Sequence, residues 1–212
     1  HSIHDLNDQL AYGRPLRGHR PGRDRALRGR GLPFASPKPL SVAEVRAEAE
    51  RHFQHWFPDA ASFEAAAGFL IQRGDLRLAA FLLHQTTERL YHCVLLVVTL
   101  YSPKLHRLNR LRPLAEGVDA RLIAAWPRDT RFARRCFARL DRAYVDARYS
   151  PHYEITGEEL AWLVERIGSF ARSSRRSARK SSAVIRRARS GSRARQVRGC
   201  PTSRARPGSI PL

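Results

Sequence analysis

The 212-residue chain predicts an all-α fold, an up-and-down bundle of about five helices with disordered Arg-rich flanks. Three observations carry this. Apolar residues recur at alternating steps of three and four over several long segments, the period of a helix with one buried stripe. Pro and Gly fall between those segments, and no run alternates in the manner of a half-buried strand. The formal charge of +20 is confined to the two ends. Residues 14–31 hold seven Arg against one Asp, and residues 172–212 hold thirteen Lys or Arg and no acid. The rest is nearly neutral, as an ordinary helical domain is.

The elements follow in chain order. Residues 14–31 are Arg and Gly with almost nothing to bury, so disorder is expected there. Pro33, Pro37 and Pro39 make a stiff connector. Ser41 with Glu44 three residues on is a reciprocal N-terminal cap, and that helix is expected to run to Phe57 and stop before Pro58. A second helix spans Asp59 to Arg73, with Phe63, Ala66 or Ala67, and Leu70 inward, and ends at Gly74. The longest apolar stripe occupies positions 76, 80, 83, 87, 90, 94, 97 and 101, predicting a helix from Asp75 to about Leu100, halted by Ser102-Pro103. A shorter helix covers about 106–116 and ends at Gly117, and a turn or two follows near 120–126. Asp129 or Thr130 then caps a helix to Arg148. Ala133, Phe137, Leu140 and Tyr144 form its inward face, and Arg131, Arg134, Arg135, Arg139 and Arg142 its outward one. The last helix runs from Gly157 to about Phe170 on Leu160, Leu163 and Ile167.

Composition excludes several classes. Cys93, Cys136 and Cys200 have neither paired nor metal-ligand spacing, which fits idle thiols in a reducing cytoplasm. The apolar run from Cys93 to Leu100 is far too short to span a bilayer, so no membrane partner is expected. There is no Met, even at position 1, so the chain reads as cut from a longer frame. Arg-Gly runs are also what GC-rich DNA yields out of frame. With suitable synonymous codons, residues 16–31 shifted by one base spell an acidic–apolar pattern typical of a folded domain. Residues 14–31 are thus candidates for a frame-shifted segment. If both flanks are genuine, their charge would bind RNA or DNA without sequence preference and with steep salt dependence.

Polar groups of a selected kind interrupt the central stripe. His84, Glu88 and His92 stand four apart and stack on one side of the helix, beside Gln85 and Arg89. The stretch from Ala79 to Val94, the segment Tyr101-Ser102-Pro103-Lys104-Leu105-His106-Arg107-Leu108, and Ala143-Tyr144-Val145-Asp146-Ala147-Arg148-Tyr149 together resemble the higher eukaryote and prokaryote nucleotide-binding (HEPN) domain. The resemblance covers about Ser41 to Phe170 and is nearest the bacterial subgroup in which this domain follows a small nucleotidyltransferase domain. It implies residues 1–40 as the remnant of such a domain plus linker, 41–172 as the HEPN helical domain, and 173–212 as a disordered basic tail.

The resemblance also implies a site. Ribonuclease members use an Arg and a His with four to six residues between them, across a dimer interface. Toxin members carry a Tyr beyond the His that can be nucleotidylated. Arg148 and His152 occupy the corresponding positions, with Arg148 as phosphate ligand and His152 as acid/base. Only three residues separate them, however, and Tyr153 follows the His directly. Glu88 matches the acid of the second helix and is expected to pair with Arg148. His84, Lys104 and Tyr153 complete the binding set, with His106 beside Lys104 in the basic loop. The helical His-Glu-x-x-His signature is missing, so no metal is expected, and no cofactor motif is present. Nor does the chain contain a Gly-Ser followed by the paired Asp-x-Asp of a nucleotidyltransferase.

The leading expectation is a homodimeric nucleotide- or RNA-binding module of a toxin–antitoxin or defence-type system, with a nucleotidyltransferase as candidate partner. The alternatives are a metal-independent ribonuclease using Arg148 and His152, an inactive degenerate product, and a nonspecific nucleic-acid binder working through its tail.

Overall fold

The computed structural model describes residues 40–196, with side-chain surroundings through Ala178. The expected nucleotidyltransferase remnant, the frame-shift segment 14–31 and Cys200 all lie outside these residues. Five α-helices and one 3₁₀ segment form the described part: α1 (Val42–Gln72), α2 (Leu76–Thr99), α3 (Leu108–Val118), the 3₁₀ segment (Ala120–Ala125), α4 (Arg131–Tyr149) and α5 (Gly157–Gln196). The all-α bundle is therefore observed, and no strand occurs among the described residues.

Helix α1 departs from expectation. Ser41 and Glu44 form the reciprocal cap, with the Ser41 N–H donating to Glu44 Oε2 at 2.8 Å. The helix then continues through Pro58 instead of stopping at Phe57. Proline removes one intrahelical N–H and disfavours the helix interior. Burial of Ala49, Ala60 and Ala67 on both sides of it holds the two halves to α2 as one rod, and this tertiary packing overrides the local break. Gly74, at φ +81°, supplies the left-handed turn that reverses the chain into α2.

Helix α2 is the axis of the bundle and packs on α1, α3, α4 and α5. Its predicted stripe is buried from Ala80 to Val97. The flanking polar side is covered as well: Thr86 and Thr87 donate to the Leu82 and Leu83 carbonyls, and His84, Glu88 and His92 lie inside. The helix ends at Leu100 in a left-handed conformation, φ 54°. Helix α3 runs past Gly117 to Val118. Its Arg112 lies over Phe137, donates to Glu116 at 2.7 Å and to the Trp126 carbonyl, and so ties the 3₁₀ segment to the core. Trp126, Tyr91, Phe137 and Phe170 pack as rings beneath it, with Tyr91 and Phe170 centroids 4.6 Å apart.

Helix α4 starts on Thr130, whose side chain accepts from the Ala133 N–H. The predicted inward residues Ala133, Phe137 and Leu140 are buried. Among the outward arginines, Arg135 and Arg139 bind Glu159 at the start of α5. Burial pushes the Glu159 carboxyl upward, but the Thr156 N–H and these two guanidinium groups outweigh it and hold the group below its ordinary range. Helix α5 does not end near Phe170; it reaches Gln196. The tail expected to be disordered from 173 thus begins as packed helix. Ser174, Ser177 and Ala178 are buried, and Ser177 bonds Asp119. Small residues at steps of three and one let the helix approach closely where a charge-based reading sees only arginines. No helix among the described residues is long and apolar enough to cross a membrane.

Candidate functional site

The polar stack on α2 meets two other elements, the α2–α3 loop and the last turns of α4. Glu88 lies at its centre, 7% exposed. Its Oε1 accepts from His106 Nδ1 of the loop at 3.0 Å, and its Oε2 lies 3.5 Å from the Gln85 amide. His84 Nδ1 and His92 Nε2 approach the carboxylate at 3.6 and 3.8 Å. Burial raises the Glu88 carboxyl above its usual range, against the lowering effect of His106, Arg89 and Gln85.

Each imidazole has a distinct role. His92 Nε2 donates to the Leu105 carbonyl at 3.1 Å, which leaves Nδ1 to accept from the Ser102 hydroxyl at 2.6 Å. Both nitrogens are satisfied by the loop, and burial lowers the ring to about 4. His84 is fully buried against Tyr144 at 5.3 Å. Its Nδ1 lies 3.3 Å from the Gln85 amide, and its Nε2 makes no hydrogen bond. The His106 backbone approaches closely enough to favour a charged ring, yet offers Nε2 no aligned acceptor. Burial, followed by the charges of His106, Arg148 and Arg107, lowers His84 to about 3. His106 is the exposed member, its side chain 58% accessible. Its ring stacks on Tyr144 at 4.9 Å and 4°.

The loop is pinned again beyond His106. Arg107 binds the buried Asp141 at 3.2 Å, and the other oxygen of Asp141 accepts from the Asn109 N–H at 3.2 Å. At the end of α4, Arg77 donates to the Ser150 carbonyl at 2.8 Å and also reaches that of Ala147. Arg148 stands exposed in the last turn, its guanidinium 4.5 Å from the Tyr144 centroid, 4.9 Å from Tyr149 and 5.0 Å from Phe81. Lys104 is exposed on the same loop as His106.

Two expected placements are corrected. The Glu88–Arg148 ion pair does not form. Glu88 spends its oxygens on His106 and Gln85, while Arg148 Nε donates to Tyr144 O on its own helix at 2.7 Å. Tyr153 does not line the site: it is buried and its hydroxyl donates to the Arg139 carbonyl at 3.1 Å. Burial, against Arg139, raises its phenol well above the ordinary value. His152 is exposed on the turn after α4, its backbone N–H bonded to Ser150 Oγ at 3.3 Å, and no contact joins its ring to Arg148. His84 and Arg148 do converge on the ring of Tyr144, and Glu88 joins them through His106, which stacks on the same ring. Among the described residues no group of three or more His, Cys, Asp or Glu is arranged to hold a metal ion.

The residues missed from the site were His106 as the partner of Glu88, and Tyr144 as the ring on which the cluster assembles. The i, i+4 spacing of the α2 stack is visible in sequence; a partner eighteen residues away in a loop is not. A family model of the HEPN domain matches residues 53–179. No curated protein gives a significant match.

Proposed function

The chain belongs to the HEPN domain family, a nucleotide- and RNA-related family, and on that premise we propose that it is a nucleotide- or RNA-binding module whose binding face is the end of α4 with the α2–α3 loop. One observation supports this face above the others: Arg148 is exposed against three aromatic rings, one of which, Tyr144, it shares with the exposed His106, and Lys104 is exposed two residues before His106 in the same loop. A guanidinium pairs with phosphate, and exposed aromatic faces accept bases whatever their sequence. Tyr149 is 74% exposed and available for such stacking. His84 and Glu88 lie beneath as support, holding the loop and Tyr144.

The biological setting we propose is a toxin–antitoxin or defence-type system with a nucleotidyltransferase partner, the module acting as a homodimer. The resemblance of the motif segments supports that setting. Binding is tested by fluorescence anisotropy with a labelled single-stranded RNA and by the melting temperature in the presence of ATP and GTP. A ligand at a hundred times its Kd adds about 2.7 kcal/mol to stability. In a chain trimmed to residues 40–180, where the basic flanks cannot mask the effect, Arg148→Ala is expected to weaken binding of nucleotide or RNA at least tenfold without lowering the melting temperature of the free protein. Unchanged affinity in that variant removes this face from consideration.

A further inference from the structure

We infer that the outward face of α1 is an interface between two copies of this chain, related by a two-fold axis at Ala65. The inference rests on the homodimer reading above and gives it a surface. That surface differs from the one the resemblance implies, which runs through Arg148 and His152. The ground is a break in the charge pattern. The chain carries +20, and residues 104–148 alone hold twelve Lys or Arg against five acids. Helix α1 holds five acids against two Arg, and from Gln54 to Gln72 no exposed position is Lys, Arg, Asp or Glu. Pro58, Ala61, Ser62, Ala65, Ala66 and Phe69 stand there, over about five turns. The two acids of the span lie off that face: Asp59 approaches Arg89 of α2 at 3.5 Å, and Glu64 is half-buried. Phe69 is 59% exposed, and across the Gly74 turn Leu78 is 48% exposed. A surface helix normally turns charge outward, and a charge-free face with a bare aromatic ring fits a protein neighbour.

Register and charge identify the occupant. In an antiparallel pair of α1 helices crossing at Ala65, each residue meets the one equally far on the other side of Ala65. Phe69 then meets Ala61 of the second copy, Gly68 meets Ser62, and Pro58 meets Gln72. The one large ring faces a methyl group, and every contact occurs twice, as a self-complementary surface requires. Gly68 leaves room for this: a Cβ placed on it would meet nothing within 4 Å. Small side chains at Ala61, Ala65 and Gly68 allow the axes to approach to the short end of the usual range of about 8–10 Å. Beyond the helix the exposed Asp75 comes level with His55 of the second copy, which sets a carboxylate against an imidazole at both ends. Elsewhere the molecule repels its own kind. A pairing through α3 and α4 would bring two basic surfaces together, whereas along the α1 face like charges do not meet. Lys104, His106, Arg148 and Tyr149 do not belong to the α1 face, so the pairing does not consume the binding face.

The test is sedimentation velocity on the full, nuclease-treated chain at low salt and at about 1 M salt, where the Debye length shrinks to about 3 Å. Expected is a dimer of the 24.1 kDa chain that tightens with added salt, as repulsion between the basic flanks is screened. Ala65→Arg and Ala65→Glu each place like charges on the two-fold axis. Both should run as monomers with the far-UV circular dichroism of the wild type, because Ala65 is exposed and its replacement disturbs no core. An equimolar mixture of the two variants should dimerise again, since the facing charges are then opposite. A wild-type chain that stays monomeric at both salts overturns the homodimer reading and this inference with it. A dimer that persists in Ala65→Arg has its interface elsewhere and overturns the inference alone. So does a dimer that loosens with salt, which is held by charge. Variants that are monomeric singly and fail to recombine overturn the two-fold at Ala65.

Discussion

At the scale of single residues, the cluster around Glu88 has a defined response to acid. His84 and His92 are held neutral inside, at about 3 and about 4, below the ordinary 6.5 of an exposed imidazole. Between those values and 6.5 the unfolded chain binds more protons than the folded one, so stability falls as pH falls through that window. Glu88 acts in the opposite sense, because its raised carboxyl is costly when charged and takes up a proton more readily in the fold than out of it. The two imidazoles outnumber the one carboxyl, so net loss on acidification is expected. His84 contributes about 2 kcal/mol of that loss between pH 7 and pH 5. His84→Phe keeps a ring against Tyr144 and removes the unpartnered Nε2. Denaturant melts at the two pH values should therefore show a smaller acid penalty in the variant, and an equal penalty would mean that His84 is solvated. Tyr153→Phe is a second case. It loses one hydrogen bond to the Arg139 carbonyl and should cost about 1 kcal/mol in the same melts while leaving RNA affinity unchanged.

At the scale of elements, burial competes with local preference, and this decides how far the sequence could be followed. The stripe of α2, the Ser41–Glu44 cap, the Thr130 cap and the inward face of α4 were all legible, because each is a local pattern that packing reinforces. Pro58 was misleading. A proline interior to a helix is unfavourable by roughly 3 kcal/mol relative to Ala, yet the alanines on either side of it pack on α2 and keep α1 continuous. Pro58 is exposed, so Pro58→Ala should restore an intrahelical bond without disturbing the core, stabilising the chain by about 1–3 kcal/mol in a denaturant titration. No gain would show that the local kink is itself needed for the α1–α2 fit. The end of α5 was illegible for a different reason. Ser174, Ser177 and Ala178 carry little hydrophobic signal, and their role depends on Asp119 and Phe57 far off in sequence, the latter lying under Arg175 at 4.8 Å. The site shows the same division. Glu88 and its neighbours on one helix could be read from spacing, whereas His106 joined them only through the fold of a loop.

At the scale of the whole molecule, the question is which charges meet a polyanion. The chain carries +20, of which residues 14–31 and 172–212 hold all but about one unit. A tail of that density binds single-stranded nucleic acid through counterion release, and log K falls with log salt by about 0.7 per neutralised phosphate. The face around Arg148 offers far fewer cations: Arg148, Lys104 and, in part, Arg107, since Asp141 already holds it. The two sources therefore separate by slope. A chain trimmed to residues 40–180 keeps Ser174, Ser177 and Ala178 and so keeps the packed part of α5. Its RNA affinity, measured by anisotropy from low to physiological salt, should follow a slope of about −2, against a much steeper one for the full chain. Arg148→Ala in the trimmed chain should flatten that slope further by about 0.7. In the full chain at low salt the same substitution should hardly register, because the flanks dominate there. If the trimmed chain binds no RNA, affinity belongs to the flanks alone and the folded face has another ligand. If its slope matches that of the full chain, the arginines of α4 must contribute instead, with Arg131, Arg134 and Arg142 on its exposed side the residues to change next.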